Sequence, residues 1–353
     1  MNKDQPFITI ILPIRNEEKY IKGTLQSIYN QEFNKNNFEV IISDGCSNDG
    51  TIHILDSLQK IYTNLKVINN PEKLVSSGFN RALSIAKGSH IIRVDGHSKL
   101  DPKFLNNCIK LSMEKNVDCV GGATKHVPVG VIGTSISIAQ STKFGVGGVA
   151  FREGVKEGQY VDTLAFGAYQ RKIFIEIGGY DEELYRNQDD EFNLRLIQNG
   201  GNIWLDPSIN SFYYPRKSLM TFFNQYFQYG FYKVRVIQKR RTYGSIRHFV
   251  PILFVLSLCF SFIIIKTHNF FLPSIIIVFS YVFLSIISTI KAYLDYSNNS
   301  LLSIILLPAT YAIMHLAYGL GSLFGLIYFA FKWKDTDLKD INFNKRNFKG
   351  SEI

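Results

Sequence analysis

The stretch Phe38-Glu39-Val40-Ile41-Ile42-Ser43-Asp44-Gly45-Cys46-Ser47-Asn48-Asp49-Gly50-Thr51 decides the fold. A β-branched run ends in an acid and small residues, and Ile52, Leu55, Leu58 and Tyr62 then recur at helical spacing. The same alternation extends on both sides. Upstream, Phe7 to Leu12 reads as a strand before a helix carrying Ile21, Leu25 and Ile28. Downstream, Lys66 to Ile68 leads to Phe79, Leu83 and Ala86 with Gly88 as a stop. His90 to Val94 makes another strand, and a helix starting at Pro102 precedes Val117 to Val120. Strand and helix alternating at this spacing predict an α/β fold with a mostly parallel sheet covered on both faces. Such sheets bind ligands beyond the C-terminal ends of their strands, so the strand ends are where chemistry is expected.

Farther along, the Gly-rich stretch 121–148 has weak periodicity and is expected to be loop with short strands. Asp162 to Arg171 and Ile173 to Asp181 read as strand, turn and helix, and Asp189 to Asn199 as a helix closed by Gly200-Gly201. Residues 218–238 place Phe222, Phe223, Tyr226, Phe227, Phe231 and Val234 at three- and four-residue steps, with Lys233, Arg235, Lys239, Arg240 and Arg241 at the end. An aromatic face with a basic end beside apolar spans predicts an interfacial helix, the alternative being a core helix.

The chain has 353 residues, 46% of them hydrophobic, and a mean hydropathy near zero, which excludes a disordered or collagen-like protein. Cys46, Cys108, Cys119 and Cys259 are scattered without metal or disulfide-framework spacing. The net charge of +10 is unevenly placed: residues 1–210 carry −1 and residues 211–353 carry +11. That basic part also holds three stretches without Asp, Glu, Lys or Arg, 249–265, 270–290 and 301–331. Basic residues beside uncharged stretches of this length indicate membrane anchorage; no nucleic-acid-binding motif accompanies them, so nucleic acid is not an expected partner. The chain opens Met1-Asn2-Lys3-Asp4 and goes directly into a strand without a secretory signal, so the N-terminal domain is expected on the cytoplasmic side of a multi-pass cell-membrane protein.

The resulting division is a globular domain over 1–215, an interfacial helix and basic linker over 216–247, a membrane region over 248–332, and a polar tail over 333–353. The loop between the first two apolar stretches is so short that they must form a hairpin. The third, with Pro308 and Gly321-x-x-x-Gly325, is expected to be kinked, tilted or partly re-entrant and packed on its neighbours. Three full crossings would put Lys332, Lys334, Lys345, Arg346 and Lys349 outside, against the positive-inside tendency, so not all segments are expected to cross.

Acidic residues recur where strands end. Asp44 could accept hydrogen bonds from a nucleobase imide or a ribose hydroxyl; helix capping, which Asp49 could supply equally, is the other explanation for acids in this turn. Asp95-Gly96-His97 puts an acid and an imidazole two apart on an extended turn, where both could reach one divalent cation bridging a diphosphate. An imidazole in that place tolerates Mn²⁺ better than Mg²⁺, and plain turn chemistry remains open. Gln188-Asp189-Asp190-Glu191 opens a helix, where acids complement the dipole or one of them takes a proton from an attacking hydroxyl.

Taken as an ordered set, Ile10-Ile11-Leu12-Pro13-Ile14-Arg15-Asn16-Glu17, the Asp44–Thr51 turn, Asp95-Gly96-His97 and Gln188-Asp189-Asp190-Glu191 with Arg195 resemble the family 2 glycosyltransferases of GT-A fold. Arg93-Val94-Asp95-Gly96-His97, Phe144-Gly145-Val146-Gly147-Gly148, Asp162-Thr163, Asn187–Glu191 and His315–Gly321 are similar to the succinoglycan-biosynthesis glucosyltransferase subgroup. The resemblance implies a GT-A nucleotide-sugar-binding fold followed by a C-terminal transmembrane helical region. It also implies an inverting, metal-dependent transfer of one sugar from a UDP-sugar to a lipid-linked saccharide, such as an undecaprenyl-linked one, in exopolysaccharide synthesis. Pro13, Arg15, Glu17 and Asp44 would lie around the nucleoside. Asp95 would contact ribose or diphosphate and a divalent cation, Mn²⁺ or Mg²⁺, with His97 at the position of a second acid. Asp189 would be the general base, Gly167, Ala168 and Asp190 would shape the acceptor side, and Lys73 and Arg81 are the candidates for diphosphate contacts. Gln225-Tyr226-Phe227-Gln228-Tyr229 stands in place of the Q-x-x-R-W motif of processive synthases, which favours transfer of a single sugar. A processive polysaccharide synthase, a polyprenyl-phosphate sugar transferase and a membrane-anchored nucleotide-binding scaffold are the alternatives.

Overall fold

The structure is a computed structural model that describes residues 7–216, 218–296 and 300–334. The basic tail residues Lys345, Arg346 and Lys349 lie outside the described residues. In chain order the elements begin β1 (Ile8–Ile14), α1 (Ile21–Tyr29), β2 (Phe38–Asp44), α2 (Thr51–Gln59), β3 (Leu65–Asn69), α3 (Val75–Ser84), β4 (His90–Arg93), β5 (Ser98–Leu100), α4 (Phe104–Lys115) and β6 (Cys119–His126). They continue with α5 (Gly130–Gln140), α6 (Lys143–Val146), α7 (Ala150–Glu153), β7 (Gln159–Tyr160), β8 (Ala168–Gln170), α8 (Arg171–Ile177), α9 (Gln188–Gln198) and β9 (Ile203–Tyr213). The last helices are α10 (Leu219–Arg240), α11 (Val250–His268), α12 (Leu272–Asp295), α13 (Leu301–Ile305) and α14 (Leu307–Tyr328).

The chain divides into two compact units. Of the described residues, one takes 7–125 and Gly154–Tyr213; the other takes His126–Glu153 and, after Tyr213, the residues up to 334. The first unit is built on one sheet with strand order β3-β2-β1-β4-β8-β6-β9-β5, and β7 pairs with β9. β3, β2, β1 and β4 run parallel, while β8 is antiparallel to both β4 and β6. Alternation along the strands sends side chains to two faces. Ile8, Ile10, Leu12, Val40, Ile42, Ile92 and Val94 pack with Ile21, Leu25 and Ile28 of α1, Leu55 of α2 and Phe104 and Leu105 of α4. The opposite face meets α3, where Gly78 lies against Pro13 and Ser43, and an aromatic group in which Phe79 stacks on Tyr180 and Phe174 on Phe192.

Three differences from the sequence expectations have physical causes. Residues 121–148 are not mainly loop: β6 runs on to His126 and α5 follows. α5 escapes periodicity because Ser135, Ser137 and Gln140 are buried with Ile136, Ile138 and Ala139, leaving little polar face to alternate with. The globular part is not continuous over 1–215, since α5 packs with Phe222, Tyr226, Leu307, Tyr311 and Met314 in the second unit. The strand expected over 162–171 shrinks to Ala168–Gln170, while β9, an eleven-residue strand interrupted by Pro207, carries no clean period-two signal.

Among the described residues of the second unit, three helices are long and apolar enough to cross a membrane: Ile246–His268, Leu272–Asp295 and Leu307–Tyr328. The long third stretch breaks at Leu306, with Pro308 in the first turn of α14, where a missing N–H costs nothing. α14 approaches its neighbours through glycines. A Cβ on Gly321 would stand 2.0 Å from the Phe227 carbonyl oxygen, one on Gly230 2.1 Å from that of Tyr318, and one on Gly319 2.3 Å from that of Pro251. The aromatic side of α10 is covered in this way, with Phe227 against Phe324 and Phe231 against Tyr328 and Phe329. Its basic end is buried too: Arg235 donates to Gln238 and to the Lys332 carbonyl, and Gln238 donates to the Phe329 carbonyl, occupying carbonyls beyond the end of α14.

Packing in the sheet unit sets opposite outcomes for two glycines. A Cβ at Gly122 in β6 would lie 1.7 Å from the Ile209 carbonyl oxygen, whereas one at Gly23 in α1 meets only Lys99 Cε at 3.6 Å. Thermal melting of the full chain in detergent should show Gly122→Ala destabilised by about 1–3 kcal/mol. Gly23→Ala should be stabilised by about 0.5–1 kcal/mol, because alanine lowers the entropy cost of the helix. Equal melting of the two variants would contradict the close β6–β9 approach.

Candidate active site

β1 and β2 end in register, Ile14 opposite Asp44, and Asp44 is also paired with Asn69 at the end of β3. The Asp44 carboxylate accepts 2.9 Å and 2.5 Å hydrogen bonds from the Ser47 amide and hydroxyl, closing a turn in which Cys46 has φ +54°. Gly45 donates to the Ile14 carbonyl at 2.8 Å, and a Cβ there would press on that oxygen, on Arg15 Cβ and on Lys73 Cα at 3.2–3.4 Å. The loop after β1 is stitched to the same turn: Asn16 receives and donates side-chain bonds with Asn48, its amide donates to Ser47, and the Glu17 amide donates to Thr51. Asp49 accepts from the Thr51 amide at 3.0 Å and from Glu18, so of the two acids in this turn it is Asp49 that serves α2. A carboxylate has about four lone-pair sites, so Asp44 keeps acceptor capacity beyond Ser47.

Two strands along the same edge, roughly 10 Å away at the usual strand spacing, β4 ends in Arg93 and leads to Asp95. Arg93 is 9% exposed. It forms an ion pair with Asp95 through Nη2, and its Nη1 donates to Asp189 Oδ2 at 3.1 Å. Arg93 also hydrogen-bonds the Tyr180 hydroxyl. Burial pushes the Asp95 carboxyl up, but Arg93 first, then His97 and Arg186, more than offset it and hold the acid below its ordinary range. Burial pulls the guanidinium down, and the two carboxylates drive it well above its usual value instead. Asp189 opens α9 after Asn187, whose φ is +62°, and its Oδ1 accepts from the Asp190 amide at 2.9 Å.

His97 is held by Glu17, Nδ1 to Oε1 at 2.7 Å, with its ring 5.2 Å from that of Tyr213. Gly96 between Asp95 and His97 has a packing reason: a Cβ there would stand 2.7 Å from Glu17 Cγ. Among the described residues, no group of three or more His, Cys, Asp and Glu could hold a metal ion. The donor set nevertheless fits a hard divalent cation. Such ions commonly take one or two carboxylates and complete their shell with substrate phosphates and water, and Asp95 Oδ2 stands beside the oxygen paired with Arg93.

The other candidates are spread more widely. Pro13 is buried at the end of β1 beside Gly78, and Arg15 is exposed just past it. Lys73, with φ +60°, is exposed at the Asp44 turn. Arg81, on α3, makes a two-point pair at 2.5 and 2.9 Å with Glu72, the residue before Lys73, and both side chains of the pair are exposed. Gly167 and Ala168 are buried in the sheet, where a Cβ at Gly167 would meet Cys119 Sγ at 2.4 Å and Ala168 belongs to the core. Asp190 is half-buried beside Asp189. Glu191 serves the fold: fully buried, it pairs with Arg195, which donates to the Ile177 and Gly179 carbonyls. Sequence reasoning gave no role to Arg93, Tyr180 or Arg186, whose charge acts on Asp95. For Arg93 the signal existed, since residues i and i+2 of an extended chain share a face.

Comparison with known proteins places this geometry. A family model described as glycosyl transferase family 2 matches residues 9–178. The chain is 33% identical over 241 residues to a dolichyl N-acetyl-alpha-D-glucosaminyl phosphate 3-beta-D-2,3-diacetamido-2,3-dideoxy-beta-D-glucuronosyltransferase of Methanococcus voltae, covering 66% of this chain and 74% of that protein. It is 29% identical over 245 residues to the succinoglycan biosynthesis protein ExoA of Rhizobium meliloti, covering 69% and 74%. Its fold is shared with a mannosyltransferase, PcManGT from Pyrobaculum calidifontis, solved with GDP-Man and Mn²⁺. The TM-score is 0.58 at 16% identity, over 92% of this chain and 88% of that one.

The Glu191–Arg195 pair separates stability from chemistry within one motif. Glu191→Gln leaves a buried guanidinium without its counter-charge and should cost about 3–5 kcal/mol. Melting temperature and yield should fall, while the folded fraction keeps its specific activity. A Glu191→Gln protein of native stability but little activity would move this residue into the chemistry.

Proposed function

Since this chain belongs to glycosyl transferase family 2 and is a glycosyltransferase, we propose that it moves one sugar, with inversion, from a UDP-sugar to a lipid-linked saccharide at the membrane. The observation that carries this reading is the Arg93 bridge, which sets Asp95 and Asp189, far apart in sequence, side by side beyond the sheet. The relative from Methanococcus voltae is named for a dolichyl-phosphate-linked sugar, and the one from Rhizobium meliloti for exopolysaccharide synthesis. Three helices long and apolar enough to cross a membrane support an acceptor that stays in the bilayer; in this reading the sheet unit is on the cytoplasmic side.

In this mechanism Pro13, Arg15 and Asp44 border the nucleoside, with Glu17 orienting His97. Asp95 and His97 would hold a divalent cation, which supplies positive charge against the diphosphate when bound. Arg186 and Lys73 add cationic charge from the chain itself. Asp189 accepts the proton of the acceptor hydroxyl as its oxygen attacks the anomeric carbon from the face opposite the diphosphate. The bond from that carbon to the diphosphate oxygen breaks, and its electron pair leaves with UDP. A single displacement inverts the anomeric configuration. Asp190, next to the base, is assigned to the acceptor side together with the backbone around Gly167 and Ala168.

The test is transfer from a panel of UDP-sugars in membranes containing the chain, with Mn²⁺, Mg²⁺ or a chelator, and product configuration read by NMR. Asp189→Asn should lose about 10²–10⁴-fold in kcat while melting like the wild type, and chelation should abolish most turnover. An Asp189→Asn enzyme with most of its activity, or a product of retained configuration, would overturn the mechanism.

A further inference from the structure

We infer that Arg93 is a positioning residue for the transfer, tying the base Asp189 to the donor-side acid Asp95 so that the acceptor hydroxyl and the anomeric carbon meet at one fixed separation. This rests on the assignment of Asp189 as base. β4 lies inside the sheet between β1 and β8, and Arg93 shares a face with the fully buried Ile91. Burying a guanidinium there is a poor route to stability, because apolar residues of similar volume commonly do as well or better.

The geometry explains the burial instead. The two Nη atoms belong to one rigid plane, and each is bonded to a different carboxylate, so fixing Asp95 also fixes Asp189. The Tyr180 hydroxyl steadies the guanidinium, and the Tyr180 ring is stacked on Phe79 at 4.1 Å. Asp189 needs such a restraint. Its side chain is 32% exposed, and its other oxygen is bonded by the amide of the very next residue. That local bond moves with the start of α9 and does not refer the carboxylate to the donor side. A displacement of about 1 Å between reacting groups can cost 10²-fold in rate. A lysine at 93 would supply the charge as a single point and could not reach both acids in one plane.

The experiment compares Arg93→Met and Arg93→Lys with the wild type in the full chain, alone and combined with Asp189→Asn. It uses UDP-glucose or UDP-N-acetylglucosamine, whichever the wild type turns over, and calorimetric binding of UDP as the donor-side readout. Arg93→Met should lower kcat about 100-fold and leave UDP affinity within about threefold, with Arg93→Lys in between. On the Asp189→Asn background the same change should cost less than about threefold, because a residue that acts through another has nothing left to position. A kcat near the wild-type value overturns the inference. So does a 100-fold loss that persists without Asp189, which marks a general structural role, or a parallel loss of UDP binding. If Arg93→Met does not fold, Arg93→Lys and its combination with Asp189→Asn give the same decision. Full activity of Asp189→Asn alone would sink the base assignment and overturn the inference with it, a failure told apart from the others because it appears without any change at Arg93.

Discussion

Two carboxylates beyond the ends of a sheet repel one another, by roughly 3 kcal/mol at 5 Å for an effective dielectric of 20. The Arg93 guanidinium turns that repulsion into a shared attachment, and much of the first unit serves to hold it. Arg195, paired with Glu191, grips the Ile177 and Gly179 carbonyls and so fixes the chain just before Tyr180. Tyr180 then stands between Phe79 and Phe192 with its hydroxyl on Arg93. A buried ion pair and an aromatic stack thus frame Tyr180, and Arg93, which Tyr180 touches, reaches Asp189 at 3.1 Å.

Much of this was legible in the residues. The parallel half of the sheet follows from β-branched runs and helical periodicity between Phe7 and Arg93, because every element there has one face in the core and one toward water or a neighbouring helix. The acids at the strand ends were legible for the same reason, since the ends of parallel strands gather whatever residues stand there. What escaped has a different cause. β9 and β8 complete the sheet by long-range antiparallel pairing, and neither has a pattern of its own: one is interrupted by Pro207 and the other is three residues long. α5 is buried throughout from Ser135 to Gln140 and exposes the apolar Val131 and Ile132 instead, so it offers no contrast to count. The pairing of Arg81 with Glu72, nine residues apart, is likewise something that spacing alone does not show.

The second unit follows another rule. In the sheet unit, specificity comes from charges placed between strands and helices. In the helical unit it comes from the absence of side chains, with Gly230, Gly319, Gly321 and Gly325 each set against a neighbour's backbone carbonyl. Apolar side chains distinguish poorly between protein and lipid tails, so close backbone approach and interhelical hydrogen bonds carry the packing. The bond between Ser135 of α5 and Thr310 of α14 and the Tyr281–His315–Gly145 chain are of this kind.

The interleaving of the two units has a consequence for biosynthesis. Ser135 and Thr310 are 175 residues apart, so at ordinary elongation rates α5 leaves the ribosome roughly 10 to 35 s before the helix that covers it. During that interval Ile136, Ile138 and Ala139 have no partner from α14, while the strands on either side of the excursion already exist. A nascent chain in this state presents an apolar helix that lacks Leu307, Tyr311 and Met314 to the insertion machinery and to holding chaperones. Truncation before Leu307 would therefore leave that side of α5 open, whatever the state of the sheet.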